Sequence, residues 1–464
     1  MEGPTDPLFV LRGHSESVNS VRFIGIDRLL SGDASGDVCV WSLDSRRVSQ
    51  RLKGSEHGVL FADLLRGSSQ IILQAREGLV KVCDLEAGGA VVNQILTRSF
   101  SFAPVAVLGN DYHSVHPEER SREGFDFFGG KRENPFNWGG QEGVRFCSPL
   151  VCSPLEETGD LGVFDLRSHK REETAGGPVG RMQTVGAVLS GIAVKPEVRL
   201  KAPKSKIANG SVGMVMGLCG VAKLSPFSHV ACAFESGEVS VFDIRQDKGA
   251  LFAPTPALPQ LQAAASLQVF RNQCWVAGAK GSLGVLRMTS DGQFSLQEVL
   301  EVYGKKGSEK GADRKAEEGP DLDLSYSDRL ERIRGKPEEL QDKMGTGTIA
   351  ARTDGAIVAL PGWDHRLRLF ETKSRRLVAS LRGHTGALQT CAFQPCTGVI
   401  ASAGKDKGIC VWDTYIETLV DEEPVRYMES SDTSPNFRGQ PLLSNKIEYG
   451  MEIQQPRQVE TQVA

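Results

Sequence analysis

An all-β fold, in which seven small antiparallel sheets close into a ring, is predicted by three features of this sequence. A short strand-like ending recurs seven times. Its copies lie about 42 residues apart, or near twice that. A strand-like run near the N-terminus, FVLRGH (9–14), precedes the first copy with no local partner. Units of four strands repeating every 40 to 45 residues describe the blades of a β-propeller, whose radial closure protects the edges of its short strands.

The ending reads small residue, Gly, alternating aliphatics, a large closing residue, then Asp or Ser. Its copies are SGDVCVWSL (35–43), EGLVKVCDL (77–85), TGDLGVFDL (158–166), SGEVSVFDI (236–244), KGSLGVLRM (280–288), DHRLRLFET (364–372) and DKGICVWDT (406–414). With Trp41, Cys83, Phe164, Phe242, Leu286, Phe370 and Trp412 as closing positions, the separations are 42, 81, 78, 44, 84 and 42. In five copies a glycine stands five residues before the closing position: Gly36, Gly78, Gly159, Gly237 and Gly281. A tight hairpin needs positive φ there, which glycine adopts without a Cβ clash. The alternation that follows, as in Val239 and Val241, has the period of a strand with one buried face. Upstream runs such as VNSVRFIG (18–25), LLSGD (29–33), ALQTCAF (387–393) and GVIASAG (398–404) supply the preceding strands. Residues 8–12 are expected to complete the last blade, so that both ends of the ring share one sheet.

The propeller is thus expected over 8–415, with insertions at about 109–145, 168–211 and 303–343 and a flexible polar tail over 416–464. The first insertion mixes charges with Phe125, Phe127, Phe128, Phe136 and Trp138, which suits either a docking segment or a loop packed on its own blade. The second carries Lys201, Lys204 and Lys206, with an outer strand expected near 185–194. The third is almost wholly polar and expected to be disordered, apart from a possible short helix over 327–334.

Composition narrows the function classes. Lys+Arg 54 against Asp+Glu 58 leaves a net charge of −4, which argues against a general nucleic-acid surface. No run of about 18 apolar residues appears and the N-terminus does not read as a secretory signal, so a nuclear and cytoplasmic location is expected, without a membrane. The ten cysteines mostly sit singly in apolar strand-like runs and are expected to stay reduced.

Signals for catalysis, cofactor or metal are poor. Cys147/Cys152 and Cys391/Cys396 lack the spacing and the partner histidines of a zinc site. The glycines of 210–220 come with no P-loop lysine, and there is no GxSxG or HExxH. His113 and His116 read as loop histidines. Asp364 and His365 are neighbours on a hairpin, and successive strand residues point to opposite faces, so they make a poor acid–base pair. A non-enzymatic protein with no cofactor is expected.

Two stretches resemble WD-repeats: LRGHSESVNSVRFIGIDRLLSGDASGDVCVWS (11–42) and LRGHTGALQTCAFQPCTGVIASAGKDKGICVWD (381–413). In that family a His, a Ser or Thr, an Asp and a Trp form a hydrogen-bonded tetrad within a blade. His384, Ser402, Asp406 and Trp412 match all four places. The first repeat supplies His14, Ser31 and Trp41, with Ser35 standing where the Asp is expected. The resemblance implies a structural role, since a buried indole N–H and imidazole each need a partner.

The segment LPGWDHRLRLFE (360–371) is sharper than the generic pattern. Asp364 occupies the tetrad Asp position while Asp342 stands where its His would lie. Trp363, Asp364, His365 and Arg366 are therefore candidate partner contacts. The plainer reading packs Trp363 over the neighbouring blade and pairs Arg366 with a local carboxylate. With the opening PLFVLRGH and the strong last repeat, this hairpin resembles the family of ASTRA-associated protein 1, also called guanine nucleotide-binding protein subunit beta-like protein 1. The resemblance implies a non-enzymatic adaptor of the ASTRA assembly. Its implied partners are the Tel2–Tti1–Tti2 co-chaperone and maturing phosphatidylinositol-3-kinase-related (PIKK-family) kinases, with a link to chromatin remodelling and a monomeric place in a larger complex. G-protein signalling is not expected, because no heptad helix precedes the first blade. Two other readings stay open: a WD-repeat scaffold of another complex, such as a ubiquitin ligase or a ribosome-assembly factor, and a reader of a peptide or histone tail. The second requires an acidic or aromatic cage at the channel mouth.

Overall fold

A computed structural model describes residues 6–108 except 66, 67 and 100, residues 150–166 except 157 and 158, residues 196–303 except several short gaps, and residues 345–414 except 396 and 397. Met1–Glu417 forms one compact unit. The described residues hold strands and no helix, so none is long and apolar enough to cross a membrane.

Among the described residues, twenty-eight strands form seven four-stranded antiparallel sheets, and the chain lays down six of them in simple order from the inside outward. The first blade is β2 (Val18–Phe23), β3 (Arg28–Asp33), β4 (Asp37–Ser42) and β5 (Arg47–Lys53). The second is β6 (Val59–Leu64), β7 (Gln70–Ala75), β8 (Leu79–Asp84) and β9 (Ala90–Leu96), and the third β10 (Ala106–Val107), β11 (Leu150–Pro154), β12 (Leu161–Asp165) and β13 (Val198–Leu200). The fourth is β14 (Val215–Gly220), β15 (His229–Phe234), β16 (Glu238–Asp243) and β17 (Thr255–Pro256), and the fifth β18 (Ala264–Phe270), β19 (Gln273–Gly278), β20 (Ser282–Met288) and β21 (Phe294–Glu301). The sixth is β22 (Ala350–Ala351), β23 (Ile357–Pro361), β24 (Arg366–Glu371) and β25 (Leu377–Arg382). The seventh is β26 (Leu388–Phe393), β27 (Ile400–Gly404) and β28 (Gly408–Trp412), with β1 (Phe9–Arg12) as its outer strand.

That outer strand closes the ring. It runs antiparallel to β28 with Phe9 opposite Val411 and Arg12 opposite Gly408. Packing gives the same result, because each pair of neighbouring blades encloses its own apolar core. One core joins the seventh blade to the first, with Leu11, Ile409 and Val411 among Val21, Leu29 and Trp41. The other six lie between consecutive blades from the first to the seventh. Apolar area removed from water between sheets is the main term holding such a ring.

The repeated turn before the third strand takes a left-handed residue in six blades. Gly36, Gly78, Gly237 and Gly281 have φ of 95°, 77°, 78° and 83°. His365 and Lys407 hold the same place in the sixth and seventh blades with φ of 71° and 64°. Gly159 differs from the expectation: its φ is not positive, and the need for glycine is one of space. A Cβ there would come within 3.0 Å of Ala202 and Val212 side chains and 2.9 Å of the Gly213 carbonyl.

The second insertion is also corrected. The third blade's outer strand is β13, Val198–Leu200, which pairs with Leu161–Val163, and Lys204 bridges Ser211. Residues expected to be insertion as far as 211 therefore belong to the third blade and its exit. Residues 185–194, the insertion at 109–145, the possible helix over 327–334 and the tail over 416–464 lie outside the described residues.

Candidate functional site

Blade geometry first fixes the two tetrads. In the seventh blade, Ser402 on β27 and Trp412 on β28 approach His384 in the connection that precedes β26. The Trp412 indole donates to Ser402 Oγ at 2.8 Å, His384 Nε2 lies 2.8 Å from the same oxygen, and His384 Nδ1 lies 2.8 Å from Asp406 Oδ2. The first blade repeats the chain: Trp41 Nε1 donates to Ser31 Oγ at 2.7 Å, and His14 Nε2 is 2.7 Å from that oxygen. Its carboxylate comes from Asp33, 2.8 Å from His14 Nδ1, and not from the turn position. Ser35, which stands at that turn position, donates its hydroxyl to Asp33 Oδ1 at 2.6 Å, and Ser35 and Asp37 backbone N–H groups donate to the same oxygen at 3.0 Å. The carboxylate has moved from the turn to the end of β3, and the serine ties it down.

Burial alone would lower the pKa of His384. Contact with Cys410 and with the Asp406 carboxylate reverses the sign and holds it above its ordinary value, at about 10. Burial pushes the Asp406 carboxyl up, yet the bond to His384, the charge of that imidazole and the backbone N–H groups of Thr385 and Gly408 together outweigh this and leave the pKa below the ordinary carboxylate value. A pKa raised by folding gives stability that is complete below the unfolded value near 6.5 and fades as pH rises through 10. A lowered carboxyl pKa gives stability that is present above 3.8 and fades as pH falls. The tetrad's ionic contribution should therefore peak between about pH 4 and 6.5. Thermal melts should show the midpoint falling by several degrees from pH 6.5 to 10, and His384→Gln should flatten that alkaline slope while lowering stability at every pH.

Eight described cysteines are buried free thiols. Burial pushes the Cys152 and Cys391 thiols up to about 12, which suits packing groups and not nucleophiles. Among the described residues no group of His, Cys, Asp and Glu has metal-binding geometry.

A cavity of about 120 Å³ lies in the central channel, walled by all seven innermost segments. Its wall is mostly apolar, with Phe23, Phe61 and Phe393. The charged residues of the described wall are Arg22, whose guanidinium lies 5.2 Å from the centre of the Phe61 ring, and Asp63, which accepts the Leu64 N–H. Of the acidic or aromatic cage that a tail reader requires, the described wall thus holds one carboxylate and three phenylalanines.

The sixth-blade hairpin is the more distinctive surface. Trp363 lies in the turn between β23 and β24 and is 38% exposed. Its ring lies against Gly345, in the segment that leads from the fifth blade into β22: a Cβ placed there would lie 2.2 Å from it. Asp364 makes a two-pronged pair with Arg368, Nη1 to Oδ1 at 2.9 Å and Nη2 to Oδ2 at 2.6 Å. Arg366, offered from the sequence as the pairing arginine, is half-buried at the start of β24 opposite Arg382. His365 is 7% exposed. Asp342, at the expected histidine place, lies outside the described residues.

Two residues of this site escaped the sequence reading. Arg368 is 6% exposed, and its guanidinium lies 4.8 Å from the centre of the Tyr303 ring. Tyr303, at the end of the fifth blade, donates its hydroxyl to the Gly345 carbonyl. Burial, helped by the charge of Asp364, pushes the phenol up to about 12, so it stays a donor. The available signal for Arg368 was the residue pattern Arg-Leu-Arg-Leu-Phe beside an acidic turn, since an arginine two places before the closing position needs a carboxylate.

The comparisons agree with this geometry. The family model described as WD domain, G-beta repeat matches residues 5–42 and 375–413. Both matches begin on the outer strand of one blade and end on the third strand of the next, the offset that closure by β1 requires. ASTRA-associated protein 1 of Schizosaccharomyces pombe is 25% identical over 418 residues, covering 88% of this chain and 99% of that protein. Guanine nucleotide-binding protein subunit beta-like protein 1 of Mus musculus is 23% identical over 421 residues, covering 89% and 97%. The crystal structure of the Cps50 (Swd1) beta-propeller domain of Myceliophteria thermophila shares the fold, with a TM-score of 0.56, 13% identity and coverage of 88% and 99%. Over the described residues the chain is a seven-bladed β-propeller that carries two WD-repeat matches and is similar over most of its length to ASTRA-associated protein 1 and to guanine nucleotide-binding protein subunit beta-like protein 1.

Proposed function

We propose that the chain is a non-catalytic adaptor of an ASTRA-type assembly, working with the Tel2–Tti1–Tti2 co-chaperone in the maturation of PIKK-family kinases. The observation that carries this reading is end-to-end similarity to a protein whose name states its association with ASTRA: 99% of the S. pombe protein is covered. The adaptor divides between nucleus and cytoplasm and takes part in chromatin regulation through the same assembly. Its mechanism is rigid-platform binding, in which a closed ring holds turns and connections in fixed positions. A large indole held 38% exposed on a well-braced turn has the character of an interface anchor.

Tagged wild-type chain should retain Tel2, Tti1 and Tti2 on affinity purification with mass spectrometry. Trp363→Ala should weaken their recovery by about tenfold or more, the range of an anchoring aromatic. Arg366→Ala should weaken it less. Partner sets identical for wild type and both variants would sink the hairpin as the contact. Recovery of ubiquitin-ligase or ribosome-assembly factors in place of the co-chaperone would favour a scaffold of another complex.

A further inference from the structure

The polar group around Trp363 is more elaborate than a turn of this length needs. Tyr303 ends the fifth blade, Gly345 leads into the sixth, and both meet the β23–β24 turn. The Gly345 carbonyl accepts from the Tyr303 hydroxyl at 2.5 Å and from the Trp363 N–H at 2.9 Å. The Tyr303 ring lies between the Gly281 backbone, where a Cβ would come within 2.1 Å of it, and the Arg368 guanidinium. Arg368 in turn grips Asp364, the residue after Trp363, with two hydrogen bonds. The six-membered ring of the indole lies flat enough on Gly345 that three of its carbons would fall within 2.8 Å of an added Cβ.

We infer that Tyr303, Gly345 and the Asp364–Arg368 pair form a seat that holds the Trp363 indole in one orientation for a protein partner. This rests on the reading of the hairpin as a docking site and names the positioning residues of that site. The sixth blade lacks the tetrad's Trp and Ser, with Phe370 and Leu360 at those places. The Arg368–Asp364 pair uses the tetrad's acidic position to brace the turn from its own strand. A side chain fixed before binding loses little rotamer freedom on docking, which favours affinity and fixes the partner's register. Gly345 is the sharpest element. Its φ is not positive, so alanine suits its backbone, and the three nearest atoms an added methyl would meet all belong to the Trp363 ring.

Gly345→Ala should therefore displace the indole and leave the ring of blades intact. Tyr303→Phe keeps the aromatic stack and removes only the hydroxyl bond, so it tests the seat should the alanine disturb folding. Trp41, Trp275 and Trp412 are fully buried, and with Trp138→Phe as the common background the iodide quenching lost on adding Trp363→Phe isolates the Trp363 fluorescence. Both seat variants should increase quenching of that component. Both should also weaken binding to purified Tel2–Tti1–Tti2 by about three- to tenfold, with melting temperature close to wild type. Unchanged quenching in both variants overturns the inference. So does increased quenching with undiminished affinity, in a protein where Trp363→Ala abolishes binding. Affinity unmoved by Trp363→Ala itself overturns the docking reading instead, and the quenching comparison then still decides whether the seat exists.

Discussion

Removing residues 1–12 should destabilise the propeller by about 5 kcal/mol or more, enough to leave much of it unfolded or aggregated at 37 °C. The deletion takes away β1, and with it Leu11, which is 1% exposed in the core shared by the seventh and first blades. A fully buried leucine alone stabilises by about 2–3 kcal/mol. The larger effect is on what remains. Ile409 and Val411 lose their covering, and the backbone groups of β28 become an open edge ready to pair with another chain. Circular dichroism melts and size-exclusion chromatography would read this. A deletion variant that stays monomeric with a midpoint within a few degrees of wild type would refute closure by β1.

Ser402→Ala should cost about 2–4 kcal/mol, a large value for the loss of one oxygen. The hydroxyl joins two buried groups, the Trp412 indole N–H and His384 Nε2, and alanine leaves both without that partner. Unsatisfied buried polar groups cost more than the net value of the bonds they made. Ser31→Ala should behave alike in the first blade, where the same distances are 2.7 Å. By contrast Ser240→Ala, whose buried Oγ has no hydrogen-bond partner, should be near neutral. Urea titration separates the three variants. A Ser402→Ala effect no larger than that of Ser240→Ala would contradict the tetrad's structural role.

The ring was legible in the sequence wherever packing imposes a period. The closing positions Trp41, Phe164, Phe242, Leu286 and Trp412 are almost fully buried on third strands, because alternation and a bulky closing residue are what a blade core demands. The outer strand of the third blade was misplaced for the converse reason. Val198–Leu200 is three residues long, sits just after Pro196 and buries one side chain well, whereas residues 185–194 carry a longer apolar run. Outer strands face solvent and leave a weak imprint. Blade-to-blade contacts leave none, since Tyr303 and Arg368 meet only through the stacking of neighbouring sheets. Asp33 shows a third limit: the motif puts Ser35 where the tetrad's Asp is expected and so left the first blade without one, but a carboxylate two residues away reaches the same imidazole nitrogen.

Amide hydrogen exchange at 9–12 and 408–411, followed together in one sample, tests most directly whether the two ends of the chain complete a single blade. Closure predicts that both segments exchange slowly and at comparable rates, because each protects the other. Rapid exchange at 9–12 beside a protected 408–411 would mean an open ring, and the platform on which the docking hairpin depends would be gone.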